Sequence, residues 1–231
     1  MKANRLVLLA VGGASMLVLS GCTQSGSVAA RVGHTTVSTS DVDFLTEVQC
    51  DILDKAAKQG QVQAVPVSRV RNQWVNTLVD AELNRQLAAR EDLTYDRATL
   101  RSAMDQFEST LSQAPAKDRD RAREMIESIY RGQLQLVGLA QRNLAAEGVS
   151  EPSEDDLRQA VTKAVDDFRK NVDVDVNPAY GPDDDDLAGG VDPSLSLAVS
   201  SFAKDSRDGL STTADPNASW VGDLPDDQRC G

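Results

Sequence analysis

Three cysteines and a single histidine bound the covalent chemistry open to this 231-residue chain: Cys22, Cys50, Cys230 and His34. A Ser-His-Asp triad or a Cys-His pair needs an imidazole placed against its nucleophile. His34 follows Gly33 in a turn between two valine-rich stretches, and no second histidine exists to build a His-based metal site. No glycine-rich phosphate loop is present. Carboxylates are plentiful, but they cluster at helix starts and on polar faces, where they complement helix dipoles and keep the chain soluble. One spacing imitates a calcium loop, with Asp173, Asp175, Asn177 and Asp184 at positions one, three, five and twelve. Pro178 stands where that loop needs glycine, Asp184 stands where it needs a bidentate glutamate, and the intervening valines alternate as a strand does. We therefore expect no enzyme, no metal and no cofactor.

The remaining chemistry is at Cys22. Lys2 and Arg5 open the chain with positive charge, an apolar run extends from Leu6 to Leu19, and small residues precede the cysteine in Leu19-Ser20-Gly21-Cys22. This is the layout of a secretory signal, and a run of about 14 apolar residues is shorter than the roughly 20 that span a bilayer. The tetrapeptide resembles the lipobox of bacterial lipoprotein leaders at every position. That resemblance implies cleavage before Cys22, residues 1–21 as signal peptide, and a diacylglyceryl group with palmitate-type acyl chains on the Cys22 thiol. Two or more chains anchor durably, at about 0.8 kcal/mol per buried CH₂. Residues 22–27 would be a short polar tether, holding the body against the extracytoplasmic face of the cell membrane.

In that oxidising compartment Cys50 and Cys230 are expected to bridge, the alternative being two unrelated thiols. A bridge would close a loop of about 180 residues, contributing on the order of 5 kcal/mol. The net charge of −12 falls to −14 once Lys2 and Arg5 leave with the leader, which excludes nucleic acid and acidic lipid head groups as bulk-charge partners. The abundance of Ala, Val and Asp, with Arg exceeding Lys, fits a GC-rich genome such as an actinobacterium's.

The body that carries these groups reads as mostly helical. Val28 to Val37 forms a hairpin about Gly33-His34. Ser40 is expected to cap a helix whose apolar positions are Val42, Leu45, Val48, Ile52 and Ala56, ending near Gly60. Val62 to Val67 reads as a connector. Ser68 is expected to cap a second helix with the stripe Val70, Trp74, Leu78, Ala81 and Leu87, flanked by Val75 and Val79. Asp96 caps a third with Leu100, Met104, Phe107 and Leu111, broken by Pro115. A long fourth helix runs from about Lys117 to Glu147, through Ile126, Ile129, Tyr130, Leu134 and Val137, with Gly148 at its end. Ser153 caps a fifth with Leu157, Val161, Val165 and Phe168 on one face. Val172, Val174 and Val176 alternate with acids as a strand, Asn177 to Gly181 is a turn, and 204–219 is polar and turn-rich. Trp74, Phe107 and Tyr130 fall on apolar stripes, positions that more often pack in a core, although the same stripes can line an open groove.

The run Ala30-Arg31-Val32-Gly33-His34-Thr35-Thr36-Val37-Ser38-Thr39-Ser40-Asp41-Val42 resembles the opening of SurA- and PrsA-type extracytoplasmic chaperones. Leu78-Val79-Asp80-Ala81-Glu82-Leu83 looks like their second-helix pattern, and Val149 to Leu157 like their restart before a further helix. The resemblance covers most of Val28 to Val176. It implies a mostly α fold: a SurA N-terminal-like domain over residues 28–176, of about five helices, whose opening hairpin closes on a late strand, with residues 177–231 as a loop-rich extension. Too little chain follows Asn171 for the parvulin isomerase domain of full-length members, so prolyl isomerase activity is not expected. The tail, with Asn177 to Gly181 and Trp220, also resembles actinobacterial lipoproteins that carry this domain. The implied function is that of a membrane-anchored holdase for unfolded or exported clients, contacting them through Trp74, Leu78, Phe107, Leu111, Tyr130 and Leu134. The alternative is a cell-envelope scaffold lipoprotein that holds one specific partner.

Overall fold

A computed structural model describes residues 27–180 and 219–231. The leader, Cys22, most of the tether, Asp184 and the polar stretch 204–218 lie outside the described residues. The elements run β1 (Val28–Val32), β2 (Thr35–Ser38), α1 (Thr39–Lys58), β3 (Val65–Pro66), α2 (Val67–Arg90), α3 (Arg97–Leu111), α4 (Arg119–Ala146), α5 (Glu154–Arg169), β4 (Val174–Val176) and β5 (Arg229–Cys230). The fold is mostly helical, with five helices and a small antiparallel strand set. No helix of the described residues is long and apolar enough to cross a membrane.

The hairpin turns at Gly33, whose φ of 58° lies in the left-handed region that favours glycine. β4 then pairs with β1, Ala30 opposite Val176 and Val32 opposite Val174, giving a sheet of order β2-β1-β4. The valines of β4 are half-buried and the neighbouring Asp173 and Asp175 are exposed, the alternation of a strand. Asn177 locks the closure: its side-chain amide donates to the Val28 carbonyl at 3.0 Å and its backbone N–H to the Ala29 carbonyl at 2.9 Å.

Helix starts follow the cap residues, with two corrections. Asp96 accepts from the backbone N–H groups of Ala98 and Thr99, and Ser153 with Asp156 forms a reciprocal capping box. Ser38, not Ser40, caps α1, accepting from the Asp41 N–H at 3.1 Å. The strand runs straight into the helix, which places Ser40 inside the first turn. Likewise Ser68 does not cap α2: Pro66 ends β3 in extended backbone, the helix begins at Val67, and no side chain caps it. The expected connector Val62 to Val67 therefore contains a strand, whose partner arrives from the far end of the chain. β3 pairs with β5, Val65 opposite Cys230.

Two apolar clusters meet at α2. Val75, Val79, Leu83 and Leu87 recur every four residues and pack with the sheet valines, Leu136, Leu139 and Phe168. The second cluster joins Val48, Leu100, Met104, Leu111, Ala122, Ile126 and Ile129 from α1, α3 and α4. Trp74 and Leu78 touch both clusters, while Ala81 packs on the second. Of the expected stripe, Val70 and Leu87 are buried while Trp74, Leu78 and Ala81 are half-buried, and the flanking Val75 and Val79 lie deeper than those three. A helix with apolar neighbours on two sides carries a wider apolar arc than a single stripe.

Polar contacts fasten α2 to the hairpin. The Gln86 amide donates to the Val32 carbonyl at 3.0 Å and to Glu82 at 2.7 Å, and Arg85 holds Glu82 through two hydrogen bonds. Burial pushes the Glu82 carboxyl up, but hydrogen bonds from Arg85, Gln86 and Thr35 outweigh it and hold the pKa below its ordinary value of 4.5. A depressed folded-state pKa means the contribution is complete above pH 4.5 and is lost as pH falls through the folded value. Glu82→Gln should therefore flatten the fall in thermal midpoint on acidification below pH 4.5, measured by circular dichroism melts from pH 6 to pH 3. Parallel curves for the two proteins would refute the assignment.

Candidate functional site

His34 is exposed in the β1–β2 turn. Cys50 and Cys230 are disulfide-bonded, their Cα atoms 4.7 Å apart. Cys230 is fully buried, and next to it the Gly231 N–H donates to Asp54 of α1. This bond and the β3–β5 pair clamp the chain end across α1 and the start of α2. Cys22 lies outside the described residues. Among the described residues no group of three or more His, Cys, Asp or Glu side chains is placed to hold a metal ion.

The feature best shaped for binding lies one turn from Cys50. Four helices enclose an apolar groove of about 440 Å³. α1 contributes Leu45, Val48, Ile52 and Leu53; α2 contributes Trp74; α3 contributes Phe107 and Leu111; α4 contributes Ala122, Ile126, Ile129 and Tyr130. Phe107 and Tyr130 meet at a ring-centroid distance of 6.4 Å, inclined by 59°, an edge-tilted arrangement that aromatic quadrupoles favour. Its polar side chains are uncharged: Gln49, Gln73, Thr77, Thr110 and Gln133, with the Tyr130 phenol. In a chain with 26% charged residues, no Asp, Glu, Lys, Arg or His lines this groove.

The cations nearby are held by partners. Arg121 pairs with Asp41 at 2.8 Å and covers the Phe44 ring at 4.0 Å, Arg71 reaches Asp43 at 3.2 Å, and Arg123 pairs with Glu108. The Lys55 ammonium donates to the Gln113 carbonyl. By contrast, the cleft between α2, α4 and α5 is lined by charge, including Arg90, Glu91, Arg142, Glu147, Lys163 and Asp167. There Lys170 and Lys163 draw the Asp167 pKa down to about 2. That cleft is lined by ion pairs, whereas the groove is lined by apolar and uncharged side chains.

Of the six side chains expected to meet a client, Trp74, Phe107, Leu111 and Tyr130 come together in the groove. Leu78 and Leu134 do not line it; they pack, half-buried, against the second cluster. Leu111 is only 2% exposed and forms floor rather than rim. The side-chain N–H of Trp74 is shielded from solvent and has no acceptor among the described residues. An unpaired buried donor costs about 1–3 kcal/mol. The rim glutamines were missed at the level of sequence because each reads as an ordinary solvent-facing helix position. The available signal was their place beside the stripes, Gln49 before Ile52, Gln73 before Trp74 and Gln133 after Tyr130.

No family model, curated protein or solved structure matches this chain.

Proposed function

We propose that this chain is a lipid-tethered, extracytoplasmic holdase that shelters apolar segments of exported, non-native proteins. The observation that carries the reading is the four-helix groove: apolar at its floor and walls, uncharged throughout, and within the roughly 300–1,000 Å³ typical of ligand pockets. The hairpin, helices and closing strand also stand in the order that the resemblance to SurA- and PrsA-type chaperones implies, which adds support. The mechanism is binding without bond chemistry. Apolar client side chains leave water for the groove, while the acidic surface keeps the complex dispersed. A diacylated Cys22 would hold this groove at the membrane surface, where clients emerge.

The test is aggregation of a heat-unfolded model protein, followed by light scattering with the chain in several-fold excess. Suppression is expected, and Phe107→Asp should abolish it by placing a charge where the groove has none. No suppression by the native sequence would refute the reading. One observation favours the envelope-scaffold alternative: among the described residues only Val62 and Val149 are large hydrophobics more than a third exposed. So few exposed apolar side chains suit recognition of one short segment better than capture of many clients. A single stoichiometric partner in cross-linked pull-downs, with no effect on aggregation, would establish that alternative.

A further inference from the structure

We infer that the groove is one half of a longer trough, which takes a client segment as an extended chain with two large apolar residues four positions apart. The inference rests on the groove being the binding site proposed above, and it names the shape and pattern of the occupant. A second cavity of about 350 Å³ lies between α2, α4 and α5, where Asn84, Leu136, Val137, Leu157 and Val161 line it. Gln133 of α4 borders both cavities. The two are in line, because the α4 residues Ile126, Tyr130, Gln133 and Val137 recur every three or four positions and share one helix face. On α2, Gln73, Thr77 and Asn84 follow the same rule. The apolar face of α5 does not fill the second cavity: Leu157 and Val161 stay half-buried, and only Phe168 of that helix is buried.

Length and charge select the occupant. From Ala122 to Val137 the trough follows α4 for about 22 Å, at roughly 1.5 Å per residue, the reach of about seven residues of extended chain. Its two apolar floors, Ile129 with Tyr130 and Leu136 with Val137, stand about 12 Å apart along the helix axis. Four residues of extended chain cover about 13 Å, and residues four apart lie on the same side of a strand, whereas residues three apart lie on opposite sides. No Asp, Glu, Lys, Arg or His lines the first cavity, and charge enters the second only with Glu154 and Arg158 of α5. A charged anchor would therefore lose its hydration in the first cavity and meet no counter-ion. Gln73, Asn84 and Gln133 set side-chain amides along the trough. Such groups donate and accept as a peptide main chain does, and an acyl chain would satisfy none of them.

The experiment titrates the ¹⁵N-labelled mature chain with three capped serine heptapeptides and reads affinity from the shifted amide signals. One peptide carries leucine at its second and sixth positions, one at its second and fifth, and one at its second alone. The four-apart peptide should bind about tenfold tighter than the single-leucine peptide, the size of one more buried leucine. The three-apart peptide should stay within about twofold of the single one, because its second leucine faces away from the trough. Phe107→Asp should weaken all three. Val161→Asp should remove the advantage of the four-apart peptide and leave the single-leucine affinity unchanged. Thr162→Glu, at an exposed position of the same cavity, makes the same test should Val161→Asp fail to fold. A four-apart peptide no better than either of the others would overturn the trough and leave the groove reading standing. No binding by any peptide would overturn both. A monoacylglycerol bound more tightly than every peptide would overturn the choice of occupant.

Discussion

Replacing Cys230 with serine is expected to lower the thermal unfolding midpoint by about 10–20 °C. The Cys50–Cys230 bond spans a sequence separation of 180 residues. Releasing a loop of that length returns on the order of 5 kcal/mol of chain entropy to the unfolded ensemble. Each kcal/mol moves the midpoint of a domain this size by roughly 2–4 °C. Besides the disulfide, the chain end is held to the helices by the two-residue β3–β5 ladder and the Gly231–Asp54 hydrogen bond. Freed, that end no longer ties α1 to the start of α2, the two helices that carry Leu45, Ile52 and Trp74. Cys50→Ser and the double variant should match the single one, since each removes the same link. Thermal melts with and without a reductant make the comparison. A reductant-insensitive midpoint, or additive losses in the double variant, would contradict the role given to this bond.

Leu111→Ala should behave as a core deletion rather than as the loss of a client contact. Leu111 is 2% exposed, at the meeting of α3 with α1 and α4, in the cluster that contains Met104, Ile126 and Ile129. Truncating a leucine so placed costs about 3 kcal/mol, the lost transfer energy plus a cavity term. The midpoint should fall by roughly 6–12 °C. Phe107→Ala, on the half-buried wall, should cost less stability and more binding. Denaturant unfolding alongside peptide titration of both variants separates the two effects. An unchanged unfolding free energy for Leu111→Ala, with weakened binding, would reverse the assignment.

How far the sequence carries depends on whether a residue's job is local. The five helices were legible because their apolar spacing and the caps at Asp96 and Ser153 are short-range properties. β4 was legible from three alternating valines and the resemblance that called for a closing strand. The cap of α1 was misplaced because Ser38 and Ser40 both satisfy the local preference. Only the end of β2 decides between them. α2 was misread in depth rather than extent. A single helix offers no cue that it separates two clusters, so Trp74 and Leu78 looked more central than Val75 and Val79. β3 was invisible, being two residues long and paired with a strand at the other end of the chain. The groove was half legible: its aromatic members stood out, whereas its uncharged polar rim exists only once four helices are brought together.

Photo-cross-linking tests the central claim most directly. A capped leucine-serine peptide carrying one photoactivatable leucine analogue is bound to the mature chain, irradiated and mapped by mass spectrometry. The account predicts adducts concentrated on groove residues such as Leu53, Trp74, Phe107 and Tyr130, and lost on competition with unlabelled peptide. Adducts scattered over the surface, or gathered in the charged cleft beside Arg142 and Lys163, would contradict it.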